Sequence, residues 1–170
     1  MLSASVIATD IMMDGLNGSP PLLFRGCLAA GEMKEDVDFL IGSAVDEAAE
    51  RFELSDGPFL WMAPSALDIS DRFRETYLDR IEPIVMSTYA VPMNDGTSFD
   101  TKAFTYYALT QEATRWTETR QELLDAFGKQ PLTPNVNRKK QNLVTFLDHI
   151  ESIASAGAWV KEELELQLPD

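Results

Sequence analysis

The sequence predicts an α+β protein in which helices pack on a mixed or antiparallel sheet, and three observations support this class. Segments with helical and strand periodicity alternate in mixed order, giving roughly four strands and five helices. Pro and Gly residues separate these segments. The chain has 170 residues, of which 45% are apolar and 25% charged, a composition that suits one globular domain over residues 1–170.

Helix and strand signals alternate through the first part of the chain. Residues 2–16 have apolar side chains at helical spacing and end in a Gly-containing stop signal. Residues 22–32 predict a largely buried strand, and residues 34–38 predict a polar turn. Residues 42–52 predict a helix with small side chains, and residues 59–63 predict a short apolar strand. The apolar stripe expected on the first helix comprises Leu2, Val6, Ile7, Ile11 and Leu16.

The second part of the chain predicts a hairpin followed by two helices. Pro64 opens a helix, and residues 84–92 predict a strand. A turn at 94–96 should return the chain as a hairpin partner over 102–109. Residues 112–157 contain the C-terminal helices, the second of which starts at Thr-Pro. Its buried stripe is expected at Val136, Leu143, Phe146, Leu147, Ile150 and Ile153.

Composition limits the possible partners. The formal net charge of −14 disfavours nucleic acid and anionic membrane surfaces, because both would repel the protein. A small anion is still possible at a local basic run such as residues 138–140. No run of about 18 apolar residues predicts a transmembrane helix, so we expect a cytoplasmic protein. The single cysteine, Cys27, has apolar neighbours and is expected to be a buried small hydrophobe rather than a nucleophile.

Three segments are similar to the class III nucleotidyl cyclase homology domain and its bacterial members. Residues 25–32 (RGCLAAGE) and 42–48 (GSAVDEA) resemble the family's Arg-hydrophobic-Gly strand and the glycine that opens its next helix. Residues 22–53 carry these motifs and look most like a bacterial subgroup near the pyrimidine cyclases of antiphage defence. Residues 137–147 (NRKKQNLVTFL) resemble a C-terminal signature of the same proteins. The resemblance implies the C-terminal part of a ferredoxin-like cyclase domain.

Class III cyclases join a 3′-hydroxyl to the α-phosphate and release pyrophosphate, using two Mg²⁺ or Mn²⁺ ions. In the family, two aspartates hold these ions, and both lie upstream of the Arg-Gly strand. Only 24 residues precede Arg25 here, and they predict a helix instead of those strands. We therefore expect no metal site and no cofactor in this chain, and weak or absent cyclase activity for the chain alone.

The resemblance also assigns individual site positions. The family's helical Asn, which positions the ribose, corresponds to Asp46, and its Arg, which offsets the developing charge, corresponds to Glu50. A carboxylate in place of a guanidinium repels phosphates. The base-reading position corresponds to Phe39, with Asp38 beside it, and Gly42 opens the helix. Phe39 either contacts a base or belongs to the core.

Three explanations of this departure from the family stay open. The sequence begins inside a longer cyclase domain, it is a natural shortened homologue that has lost catalysis, or it assembles with a chain that supplies the missing half. The protein partner that we expect is a second copy of the chain or a complementing cyclase-like chain. A nucleoside triphosphate is a possible ligand. A rival hypothesis is a non-enzymatic protein-interaction module whose acidic surface meets a basic partner.

Other candidate clusters have plainer interpretations. His149 is the only histidine and is expected to be exposed on the last helix. Glu32, Glu35, Asp36 and Asp38 could bind a cation, but they lack a calcium-loop pattern and are expected to form a solvated turn. The basic run at 138–140 is expected to offset the acidic surface.

Overall fold

The computed structural model describes residues 2–36, 39–77, 86–105, 113–129 and 133–165. Within these residues the helices are α1 (Leu2–Leu16), α2 (Ser43–Arg51), α3 (Pro64–Tyr77), α4 (Ala113–Gly128) and α5 (Pro134–Glu165). The strands are β1 (Gly26–Leu28), β2 (Lys34–Asp36), β3 (Phe39–Ile41), β4 (Leu60–Met62), β5 (Met86–Pro92) and β6 (Ser98–Phe104). Among the helices of the described residues, none is both long and apolar enough to cross a membrane. Asp38 and the predicted strand ends at 84–85 and 106–109 lie outside the described residues.

Four strands form a mixed sheet in the order β1-β4-β6-β5, which confirms the predicted α+β class. β1 and β4 are parallel, with Gly26 opposite Leu60, whereas β6 is antiparallel to both its neighbours. In a ferredoxin-like split βαβ unit another strand lies between the two parallel strands. Here β1 and β4 are direct neighbours. The resemblance to a cyclase domain therefore stays a prediction.

The β5–β6 hairpin closes through the turn predicted at 94–96. Gly96 has a φ of +86°, and the backbone N–H of Met93 donates to the carbonyl of Thr97 at 2.9 Å. The carboxylate of Asp95 accepts bonds from the Thr97 hydroxyl at 2.6 Å and backbone N–H at 2.9 Å, and these bonds lower its pKa. β6 begins at Ser98, earlier than predicted, because the polar residues at its start hide the strand pattern.

The buried cluster combines side chains from α1, β4, β6, α4 and α5. The stripe predicted on α5 is confirmed at its four central positions, while Val136 and Ile153 are only half-buried. Trp61 and Trp116 are buried, as expected of packing residues. The largest fully buried side chains include Trp61, Phe59, Phe104, Phe146, Met62, Leu123, Leu143 and Leu147.

α1 buries a different stripe from the one predicted. Ile7 and Ile11 are 58% and 52% exposed, whereas Ala8, Met12 and Leu16 are buried. Positions 8, 12 and 16 share one face because they are four residues apart. The predicted stripe is therefore confirmed at Leu16 and wrong at Ile7 and Ile11, while the side chains of Leu2 and Val6 lie outside the described part of the chain.

The first strand and the turn after it also differ from prediction. Only Gly26–Leu28 of residues 22–32 form a strand, and its side chains are half-buried. Leu22 and Phe24 are exposed. Residues 34–36, predicted as part of a turn, form β2 and pair with β3. Hydrogen bonds between β2 and β3 keep this polar segment extended. Lys34 and Glu35 stay exposed, because the two strands lie outside the main sheet.

A buried carboxylate attaches α5 to the loop before β4. Asp56 is 3% exposed and accepts bonds from Arg138 Nε at 2.5 Å and Nη2 at 3.1 Å. Asn142, one turn further along α5, donates Nδ2 to the Asp56 carboxylate at 3.0 Å and to its backbone carbonyl at 2.7 Å. This network attaches the start of α5 to the loop at Asp56, whose backbone N–H also donates to the carbonyl of Pro92 at the end of β5 at 2.8 Å.

Candidate functional site

Gly42 joins the β2–β3 hairpin to α2 in a conformation that other residues rarely adopt. Its φ is +136°, and a Cβ there would lie 2.2 Å from the carbonyl oxygen of Glu32. That Cβ would also lie 3.1 Å from the Cα of Met33. Glycine is therefore required by the close approach of two backbone segments, independently of any ligand.

The two positions assigned to catalysis lie on the outer face of α2. Asp46 and Glu50 are four residues apart and both are exposed. The backbone N–H of Asp46 donates to the carbonyl of Gly42 at 3.0 Å, so its carboxylate belongs to the first turn, where the helix dipole favours an anion. This exposed face of α2 therefore carries two carboxylates.

Glu47 lies on the inner side of α2 and interacts with two neighbouring polar side chains. Its carboxylate accepts a short hydrogen bond from the Ser65 hydroxyl and lies 3.3 Å from Arg51 Nε. Ser65 in turn accepts a bond from the backbone N–H of Ala30 at 2.8 Å. Since Ser65 is in the first turn of α3, Glu47 places an anion beside the positive end of that helix. Arg51, the arginine next to Glu50 in the sequence, is therefore already ion-paired with Glu47.

Cys27 lies beneath α2 and is not activated. Its Sγ donates to the carbonyl of Ala48 at 3.7 Å. Burial, followed by the charge of Glu47, raises the pKa of Cys27 from 9.0 to about 11, and Arg51 opposes this shift. The thiol therefore stays protonated near neutral pH. The thiol is half-buried, which is less burial than the sequence predicted.

Phe39, which was predicted either to contact a base or to belong to the core, is on an exposed strand. Phe39 is 72% exposed, so its interpretation as a core residue is wrong. β3 pairs with β2 alone among the described strands, in a two-stranded ribbon apart from the main sheet. An open hollow of about 450 Å³ lies beside Gly42 and is lined by Glu32, Met33, Lys34, Ile41 and Gly42. The structure therefore places the hairpin, Gly42 and α2 in one region, with carboxylates around it.

His149 is half-buried against β5, contrary to the prediction that it is exposed. Its Nε2 lies 2.9 Å from Ser87 Oγ and 3.1 Å from the backbone carbonyl of Thr88. A carbonyl can only accept, so Nε2 carries the proton and donates it. The nitrogen that faces Ser87 therefore has no free lone pair with which to activate that hydroxyl.

The basic run at 138–140 is offset by nearby carboxylates. Arg138 is bound by Asp56, and Arg25 lies 3.7 Å from Glu53. Burial and the nearby Arg25 lower the pKa of Lys139, while Asp56 acts in the opposite direction. This arrangement agrees with the interpretation of the run as a basic surface that balances acidic groups.

The sequence did not identify the Glu47–Ser65 contact or the role of Asp56 and Asn142. The Pro-Ser pair that opens α3 was a signal for the Glu47–Ser65 contact, because serine is common at the start of a helix, where its hydroxyl bonds to nearby polar groups. In the predicted acidic turn, Glu32 and Glu35 are exposed. Across the parts of the chain that the structure describes, no three His, Cys, Asp or Glu side chains are placed to hold a metal ion. No protein-family model, curated protein or solved structure matches the chain.

Proposed function

We propose that this chain is a nucleotidyl-cyclase-like protein that does not cyclise nucleotides alone and acts in the cytoplasm as a binding domain. It binds a nucleoside triphosphate weakly, or contributes to a composite site with a second copy or a complementing chain. The observation that carries this proposal is the exposure of Asp46 and Glu50 on the same face of α2. Those positions correspond to the residues that act on ribose and phosphate in the family that the motifs resemble.

Electrostatics supports the loss of catalysis. A transferring phosphoryl group is stabilised by donors and cations aimed at its developing charge. Here α2 presents carboxylates, and Arg51 is paired with Glu47 at 3.3 Å. These charges weaken the binding of a triphosphate at this face and leave its transferring phosphoryl group without a stabilising cation.

The first test is a cyclase assay of the purified chain with ATP, GTP, CTP and UTP in the presence of Mn²⁺. We expect no cyclic nucleotide above the background without protein. Clear formation of any cyclic product by the chain alone would overturn the proposed loss of catalysis.

The second test locates the nucleotide contact with Glu50→Arg, which restores the family's guanidinium. A ligand at about 100 times its Kd adds roughly 2.7 kcal/mol of stability, which corresponds to a rise in Tm of roughly 5–10 °C for a chain of this size. We expect Glu50→Arg to increase the nucleotide-induced rise in Tm above that of the wild type. Glu118→Arg makes the same change of charge on an exposed position of α4 and serves as the matched control.

The comparison between these two variants decides the location. If both respond equally to nucleotide, the effect is general charge attraction and the α2 face is not a nucleotide site. If neither responds, nucleotide binding at α2 is contradicted in the same way.

The second candidate function is a protein-interaction module with an acidic surface. A specific observation favours it: Met33, Phe39, Leu40 and Ile41 are 64%, 72%, 53% and 54% exposed on one hairpin. Contiguous apolar side chains exposed in this way commonly mark a binding surface.

A further inference from the structure

The hairpin surface, defined as Met33, Phe39, Leu40 and Ile41, is apolar on both faces of a two-stranded ribbon. Directly paired residues share a face, so Ile41 lies on the face of Lys34, and Phe39, two residues before Ile41 on the same strand, lies on that face as well. Leu40 lies on the opposite face with Glu35. Because all three β3 side chains are more than half exposed, neither face is covered within the described residues.

The ribbon also offers an edge for pairing. β3 is hydrogen-bonded to β2 on one side, and no described strand pairs with its other side. Isolated two-stranded ribbons are marginal in water, and an unpaired edge presents free backbone donors and acceptors. An extended segment of another chain can bond to such an edge by strand addition.

The charges around this surface define the partner. Glu32 and Glu35 border the hairpin, and Asp46 and Glu50 are exposed on α2, which contacts β3. Within the described residues, these four carboxylates form no ion pair. By contrast, most arginines of the described residues are paired with acids elsewhere: Arg25, Arg51, Arg72, Arg120 and Arg138. The border of the hairpin surface is therefore an unneutralised acidic rim with Lys34 as its nearby cation.

We propose that the hairpin surface binds an extended, basic segment of a partner protein, which adds as a strand to the outer edge of β3. Apolar side chains of that segment pack on Phe39, Leu40 and Ile41, and one of them enters the hollow beside Gly42. Its Lys or Arg side chains face the carboxylates of the rim. This inference rests on the second candidate function and specifies its surface and partner class.

A second copy of the chain fits this surface less well than a basic partner. Two copies related by a two-fold axis would bring identical acidic rims together. Each copy also carries a net charge of −14, which disfavours close approach at low ionic strength. Charge complementarity therefore favours a cationic segment.

The test uses the full chain and a short fluorescein-labelled peptide in which Lys alternates with Leu and Val. Fluorescence anisotropy measures its Kd for the wild type and for Phe39→Ser/Leu40→Ser, which keeps the protein charge unchanged. We expect at least about a 10-fold weaker Kd for this variant, equivalent to about 1.4 kcal/mol. A peptide with Glu in place of each Lys should not bind.

Ile7→Ser/Ile11→Ser is the matched control, because it removes two equally exposed apolar side chains from α1. We expect its Kd to stay within about twofold of the wild type. Thermal melts of all three proteins establish that each is folded.

The outcomes separate the surface from the function. If the wild type binds the peptide and the two variants weaken binding equally, or neither variant weakens it, the hairpin surface is not the binding site. The proposed interaction function would still stand in that case. Failure of the wild type to bind the basic peptide would overturn both. A concentration-dependent dimer in light scattering that is abolished by Phe39→Ser/Leu40→Ser would assign the surface to a second copy and overturn the basic partner.

Discussion

β3 and β4 are both three-residue apolar strands, but only one of them is buried. In β3, Phe39, Leu40 and Ile41 are more than half exposed, whereas in β4 Trp61 and Met62 have no exposed surface. β4 is paired on both sides, by β1 and β6, and belongs to the cluster that α1, α4 and α5 complete. β3 is paired on one side. Apolar composition therefore makes a strand suitable for burial, and its neighbours decide whether burial occurs.

The largest expected difference comes from a Leu→Ala substitution made once in the buried cluster that contains β4 and once in β3. Leu143→Ala removes a fully buried side chain in the same cluster as Trp61 and is expected to lower the free energy of unfolding by about 2–5 kcal/mol. Leu40→Ala removes the same atoms from a side chain that is 53% exposed, and its effect is expected to stay within about 0.5 kcal/mol. Urea denaturation with both variants measures the difference. Equal losses would mean that β3 is covered in solution by another part of the protein.

A smaller effect is expected at the junction between the two regions. Gly42→Ala places a Cβ against the Glu32 carbonyl at a positive φ and should cost about 1–3 kcal/mol. Gly96→Ala is the matched control, because Gly96 also has a positive φ but a Cβ added there would meet no heavy atom within 4 Å. Chemical denaturation should show a larger loss for Gly42→Ala. A larger loss at Gly96 would contradict the close approach of the hairpin to α2.

The smallest effect is a pH dependence at Cys27, which lies between the hairpin and the core. The folded thiol keeps its proton to a higher pH than the unfolded one, so the stability it contributes is complete below pH 9 and declines as pH rises toward about 11. Glu47→Gln should lower the pKa of Cys27, because it removes an anion and leaves Arg51. Arg51→Gln should raise this pKa. The pH profile of the rate of thiol alkylation measures both shifts.

This cysteine is the only one in the chain, so the alkylation signal is specific. Glu50→Gln removes a neighbouring exposed charge and should leave the profile unchanged. Shifts in the same direction for Glu47→Gln and Arg51→Gln would contradict the electrostatic origin of the raised pKa.

Strong local signals predicted the fold best. The C-terminal helix combines a Thr cap, a Pro in its first turn and a long apolar stripe, and its central stripe is buried as expected; the cap bond joins the Val136 N–H to Thr133 Oγ1 at 3.2 Å. The turn at 94–96 was equally clear, because Asn-Asp-Gly suits a tight hairpin. α1 was predicted correctly as a helix and its buried stripe correctly at Leu16, but Ile7 and Ile11 are exposed, since the two faces of this helix differ little in apolar content.

The candidate site was predicted less completely. Glycine at position 42 and carboxylates at 46 and 50 are visible in the sequence, and the structure places the carboxylates on one exposed face. Glu47 and Arg51 have the i,i+4 spacing of an ion pair within one helix, whereas the contact of Glu47 with Ser65 depends on how α2 sits beside α3. The exposure of Phe39 was missed because an aromatic residue in an apolar run usually belongs to a core.

Residue patterns alone were enough to predict the local events: where most helices begin, where the β5–β6 hairpin turns, and which charges α2 carries. Those depend on contacts between residues near each other in the chain, which spacing and residue type reveal. The packing of distant segments was needed to establish that β4 is buried and β3 exposed, and that Asp56 holds Arg138 and Asn142. No local pattern contains this information, because burial is a property of the neighbours as much as of the residue itself.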